Sequence, residues 1–170
     1  PDRRRQSHDI RVTDQGLRVS AYTAEGTPGE VLDAPASEPQ AQLAGFENFF
    51  DATVISVRPD AGTMHCRLAG GDVELEVPRA NAAPGNDVRI AIRAGDILLA
   101  NQEPRGLSAR NVLPGSVVAM RREGSRVILH ADTGAVFEVH VTPGGSQSLQ
   151  LAPGRPVWLV IKTHSCRIVS

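Results

Sequence analysis

Lysine is nearly missing from this chain. Of the 18 basic residues in 170, 17 are Arg and one is Lys, at Lys162. Against 19 acidic residues the net charge is -1, so no basic field argues for a nucleic-acid partner. Aromatic residues make up 4%, too few for a platform of stacked bases. No apolar run approaches the ~18 residues of a membrane span, and no signal peptide is visible. Direct insertion into a membrane is therefore not expected, and a reducing cytoplasm is the expected setting. The two cysteines, Cys66 and Cys166, are too few for a disulfide framework and read as small core apolars. Nothing matches Gly-x-x-x-x-Gly-Lys-Ser/Thr, Gly-x-Ser-x-Gly or His-Glu-x-x-His. His8, His65, His130, His140 and His164 are scattered without metal-ligand spacing, and His140 and His164 read as surface residues. The chain carries no catalytic constellation.

What is present is aliphatic material and turns. Hydrophobic residues reach 41%, with 16 Gly and 12 Pro. Residues 1–46 stand apart from the rest. They open on a basic run, Pro1-Asp2-Arg3-Arg4-Arg5, and contain no long amphipathic element. A strand is expected near Arg18–Thr23. Short helices are expected from Thr27-Pro28-Gly29-Glu30 and from Ser37-Glu38-Pro39-Gln40, each with a hydroxyl N-cap and an early Pro.

From Phe49 onward apolar and polar residues alternate. Thr53–Val57, His65–Leu68, Val73–Val77, Val88–Arg93 and Ile97–Ala100 read as strands. In Val73-Glu74-Leu75-Glu76-Val77 the two glutamates read as a solvated face. A second series follows at Ser116–Met120, Arg126–Ala131, Val136–Val141, Val157–Lys162 and Cys166–Val169. Ala83-Pro84-Gly85 lies 69 positions before Ala152-Pro153-Gly154, and the same offset joins Val88 to Val157 and Arg93 to Lys162. Upstream the offset is 63 to 64, matching Val54 with Val117 and Leu75 with Val139. Five or six residues are thus inserted in the second copy, around Thr142–Leu149. Two copies of a five-strand unit predict an all-β chain of tandem OB-like barrels. A single ten-strand sandwich is the alternative, and the repeat argues against it.

One junction concentrates polar groups. Gly106-Leu107-Ser108-Ala109-Arg110-Asn111-Val112-Leu113-Pro114-Gly115 places a hydroxyl, a guanidinium and an amide within four residues. Those groups suit a small oxyanion, and a turn satisfying its own backbone is the plainer reading. Lys162 ends the strand Val157–Ile161 opposite Arg93 of the first copy. A compact ammonium meets a tetrahedral anion differently from a planar fork, whereas drift at a strand end is the plainer account.

These residues resemble a known family. Ser108-Ala109-Arg110-Asn111 followed by Val112–Val117 is similar to the opening of the molybdate-binding Mop (molbindin) domain, and Leu151–Gly154 with Ile161-Lys162-Thr163 to its close. The region upstream resembles the TOBE/Mop accessory part of molybdate ABC importer ATP-binding subunits. Residues 26–50 resemble the end of such an ATPase domain, and Ser7-His8-Asp9 its histidine switch. The resemblance implies three segments: a remnant of the ATPase domain and linker (1–46), a first barrel (47–104) and a second, Mop barrel (105–170). It implies an oxyanion ligand, molybdate or tungstate, held at an interface between subunits. The residues carried over are Ser108, Ala109 through its backbone, Arg110, Asn111, Thr142 and Lys162. Ser146 takes the place of a family Ser that falls on Gly145. It further implies a homodimer and, through the parent subunit, a membrane permease partner at the inner face of the cell membrane. ATP belongs to the parent and is not expected to bind this chain. Two other roles stay open: a structural dimerisation module with an empty site, and a free-standing molybdate store or sensor.

Overall fold

The computed structural model of the chain describes residues 10–13, 16–19, 24–26 and 37–169. The basic run at the start, Ser7-His8-Asp9, Ser20–Thr23 and the helix expected from Thr27 lie outside the described residues. Two compact units divide the chain, residues 1–45 with 169–170, and residues 46–168.

The first unit contains a three-stranded antiparallel sheet of β1 (Ile10–Thr13), β2 (Gly16–Val19) and β3 (Ala24–Gly26). Helix α1 (Glu38–Leu43) starts after Ser37 as expected, with Pro39 in its first turn. The Gln40 side chain reaches back and accepts from the Ser37 N–H at 3.3 Å, which satisfies an amide otherwise left orphaned at the helix start.

The second unit holds both repeats. The first supplies β4 (Asn48–Arg58), β5 (Thr63–Leu68), β6 (Glu74–Pro78), β7 (Asp87–Ile92), a 3-10 turn (Ala94–Asp96) and β8 (Leu98–Ala100). The second supplies β9 (Asn111–Glu123), β10 (Arg126–Asp132), β11 (Val136–Val141), helix α2 (Pro143–Ser148), β12 (Pro156–Ile161), a 3-10 turn (Thr163–Ser165) and β13 (Cys166–Val169). The insertion read from the offset is α2 itself. The two five-stranded sheets run β13-β7-β4-β5-β6 and β11-β10-β9-β12-β8. The fold is therefore all-β, two OB-type five-stranded units in tandem. Each sheet is completed by the other repeat's last strand: β8 pairs with β12, and β13 lies beside β7.

Alternation is what buries this fold. Leu75 and Val77 of β6, Phe137 and Val139 of β11, and Leu159 and Ile161 of β12 are all fully enclosed. They join Val54, Met64, Cys66, Ile90 and Ile92 in one continuous core. Burying a side chain of this size contributes roughly 1.5–3 kcal/mol. Phe50 packs on Phe137 with ring centroids 4.6 Å apart, tying β4 to β11. Both cysteines sit in this core as free thiols. Burial pushes the Cys66 thiol up to about 11 and Cys166 to about 12.

Three details differ from the sequence reading. First, the equivalence of β6 and β11 is shifted by two residues. His65 pairs with Glu76 and His130 with Glu138, so Leu75 corresponds to Phe137 and not to Val139. Second, the junction is not a turn from Asn111 onward. Asn111–Gly115 is already strand β9, with Pro114 opposite Trp158. Gly115 is needed there: a Cβ would lie 2.6 Å from the Asp132 carbonyl oxygen. Third, Glu76 is not solvated, since its side chain is only 11% exposed.

Candidate functional site

The site grows from the first residue of β9. Asn111 is 4% exposed, and its amide is fully engaged. Its Oδ1 accepts from the Glu76 N–H at 2.7 Å, and its Nδ2 donates to the Glu76 carbonyl at 2.9 Å. Glu76 lies on β6, the edge of the opposite sheet. The amide therefore closes a strand edge whose backbone groups would otherwise face no partner. Asn48 does the same for β11. It donates to the Glu138 carbonyl at 2.8 Å and accepts from the Glu138 N–H at 2.7 Å. The two asparagines are counterparts, and each clasps the sheet of the other repeat.

The Asn111 clasp draws in neighbours. The Glu76 carboxylate accepts from Thr163 Oγ1 at 2.9 Å and faces His65 Nε2 at 3.4 Å. Arg110 Nε lies 4.0 Å from the same carboxylate, with its side chain 63% exposed. At the mirrored place His140 is largely buried and not a surface residue. Its Nε2 lies 2.7 Å from Glu138 Oε1, and its Nδ1 4.0 Å from Glu47.

Lys162 caps the turn after β12 and is exposed. Beside it lies a cavity of about 510 Å³, lined by Ser108, Ala109, Lys162, Ser165 and Asp96 and by the apolar Leu98, Leu99, Leu107 and Val160. Leu98 and Leu107 are 62% and 46% exposed at its mouth. One ammonium, two hydroxyls and one carboxylate thus meet on an apolar floor. That set can hold a small hydrogen-bond acceptor against a single positive charge.

Three of the seven sequence-predicted site residues, Ser108, Ala109 and Lys162, come together in this cavity. Four do not. Arg110 turns to Glu76 and Asn111 is the clasp. Thr142 caps α2, its Oγ1 accepting from the Gly145 N–H at 3.0 Å, and Ser146 is 9% exposed within that helix. Glu76, Thr163, Asn48 and His140 were missed by sequence reasoning. The offset that matches Val54 with Val117 also matches Asn48 with Asn111, and that coincidence was the available signal. Among the described residues no group of three or more His, Cys, Asp or Glu side chains is arranged to hold a metal ion.

The second unit thus joins two OB-type five-stranded sheets with a cation-bearing cavity beside the end of β12. Residues 107–168 match the TOBE domain. Over 82% of its length the chain is 35% identical to the Molybdenum import ATP-binding protein ModC of Rhizobium meliloti, covering 39% of that relative. It is 38% identical over 92% of its length to ModC of Yersinia pseudotuberculosis, covering 44% of it. The chain thus spans about two fifths of the length of these curated relatives. In three dimensions it is similar to the cytoplasmic molybdate-binding protein ModG, solved with molybdate bound. The TM-score is 0.64 at 24% identity, covering 72% of this chain and 95% of that one. At that identity the likeness speaks to fold.

Proposed function

We propose that this chain is the oxyanion-binding and dimerisation module of the ATP-binding subunit of a molybdate or tungstate ABC importer. The observation that carries the reading is Lys162. The other 17 basic residues are Arg, and the one lysine stands exposed in a cavity wall that Ser108 and Ala109 share. A flexible ammonium and a hydroxyl suit a compact tetrahedral dianion. Arg110, next in sequence after Ala109, turns to Glu76, and Asn111 holds the strand on which the Ser108–Arg110 segment is mounted. Thr142, exposed at the start of α2, would be supplied across an interface by a second copy of the chain, whereas Ser146 is buried within that helix and is kept from it. A homodimer completes the site, and the apolar mouth at Leu98 and Leu107 supports that interface.

Function follows from shared ligation. An anion bridging two copies stabilises the arrangement in which both sets of ligands converge, by the difference in its affinity for the two arrangements. In a parent ATPase at the inner face of the membrane, bound to its permease, abundant cytoplasmic anion would thereby restrain transport. The role of this chain is binding, and ATP binds elsewhere in the parent. Among the described residues no helix is long and apolar enough to cross a membrane.

Calorimetry with sodium molybdate tests the reading. Binding is expected in the wild type and at least a tenfold loss in Lys162→Ala. No heat at millimolar molybdate would refute it. A second reading, a structural dimer with an empty site, draws on Thr142, whose hydroxyl already caps α2, and on Asp96 in the cavity wall. Sedimentation with and without molybdate separates the two, because an anion-independent dimer without binding supports the structural role.

A further inference from the structure

The paired asparagine clasps fix which residues of the two repeats correspond. Phe46-Glu47-Asn48 stands where the second repeat has Ala109-Arg110-Asn111, and Arg93-Ala94 stands where it has Lys162-Thr163. The two places share strand and turn positions and differ at each of these residues except the asparagine.

At the second junction Ala109 is small, and the cavity beside Lys162 is open. At the first, Phe46 is 5% exposed, and the Arg93 guanidinium carbon lies 4.6 Å from its ring centroid. The Phe46 ring lies under the Arg93 guanidinium, in the place that Ala109 holds in the second repeat. The charge is reversed as well. Glu47 stands in the place of Arg110, and its Oε2 accepts from the Ala94 N–H at 2.8 Å. That amide follows Arg93 as the Thr163 amide follows Lys162. Arg110 has no acceptor atom to offer its own junction. The first junction therefore carries an anion of its own, covalently attached, on the amide beside Arg93. Glu138 brings a second carboxylate through His140, which lies between it and Glu47.

We infer that the first repeat is an oxyanion site filled by its own Glu47 carboxylate, so that each chain presents one junction to free molybdate rather than two. Glu47 is then a specificity-determining residue that denies anions to one half of a symmetric fold. This rests on the oxyanion reading of the second junction given above.

The test is titration of the chain with sodium molybdate by calorimetry, with the fold of each variant checked by circular dichroism. Wild type is expected to show a single class of sites, and Lys162→Ala to weaken that whole class at least tenfold. Glu47→Ala is expected to add a second, weaker class that persists in Glu47→Ala/Lys162→Ala. Glu47→Gln, which keeps an acceptor for the Ala94 N–H, is expected to add none. If Lys162→Ala leaves half of the wild-type sites at unchanged affinity, the first junction already binds anion; the inference then falls while the oxyanion reading stands. If folded Glu47→Ala gains no site, the inference falls in the same way. Absence of binding to the wild type overturns both. Should Glu47→Ala not fold, the Lys162→Ala site count still decides.

Discussion

Replacing Asn111 with Ala distinguishes a clasp from a ligand. The substitution removes two hydrogen bonds, at 2.7 and 2.9 Å, between the side-chain amide and the Glu76 backbone. Each is worth about 1 kcal/mol net, and a buried backbone N–H or C=O left without a partner costs roughly 1 kcal/mol or more again. The Asn111 side chain is almost wholly enclosed, so water reaches the vacated groups only in part. The expected loss is about 3 kcal/mol. For a unit of this size that corresponds to a fall in Tm of roughly 10 °C. Urea unfolding followed by circular dichroism should show a lower midpoint at unchanged slope. Asn48→Ala should fall by a similar amount, since its clasp on Glu138 has the same geometry. An Asn111→Ala chain with wild-type stability and weakened molybdate binding would refute the reasoning, because it would make the amide a ligand and the edge indifferent to its loss.

Other expectations follow from the core. Gly115→Ala drives a Cβ to 2.6 Å from a backbone oxygen, and a loss of about 1–3 kcal/mol by thermal melting is expected. Phe137→Ala empties the largest enclosed side-chain volume and removes the Phe50 contact, so a loss of about 3–5 kcal/mol in urea is expected. Cys66 and Cys166 should resist a thiol reagent at neutral pH until the chain is unfolded, because burial holds both as neutral thiols. Their raised values also set a pH dependence. The folded state holds these protons more tightly than the unfolded one, so their contribution is complete below about pH 9. It declines as pH rises toward about 11 and 12. A Cys66→Ala/Cys166→Ala chain should lose stability less steeply across that alkaline range.

The strands and their repetition were legible because period-two alternation and Pro-Gly turns are local signals. The same periodicity hid the register. A slip of two residues keeps every apolar side chain on the buried face, so Leu75 matches Val139 as well as Phe137 until the His65–Glu76 and His130–Glu138 pairs fix the answer. The burial of Glu76 was not legible either. It sits on the outer face of its own strand, and Asn111, Thr163 and Arg110 from the other repeat join His65 in covering it. Lys162 stood out by composition alone and lies in the cavity wall. Arg110, just before β9, and Asn111, its first residue, both turn to Glu76 of the other repeat, a long-range convergence that no local pattern announces.

The exchange of last strands gives the Lys162 turn a leverage that its position at the surface conceals. Residues 162–165 are the whole path from β12 in one sheet to β13 in the other. A ligand that tightens on Lys162 pulls on the strand that closes the neighbouring barrel, and the turn at 94–96 returns the connection through β8. The repeats are interlocked links: neither can be loosened, excised or allowed to drift without opening its twin.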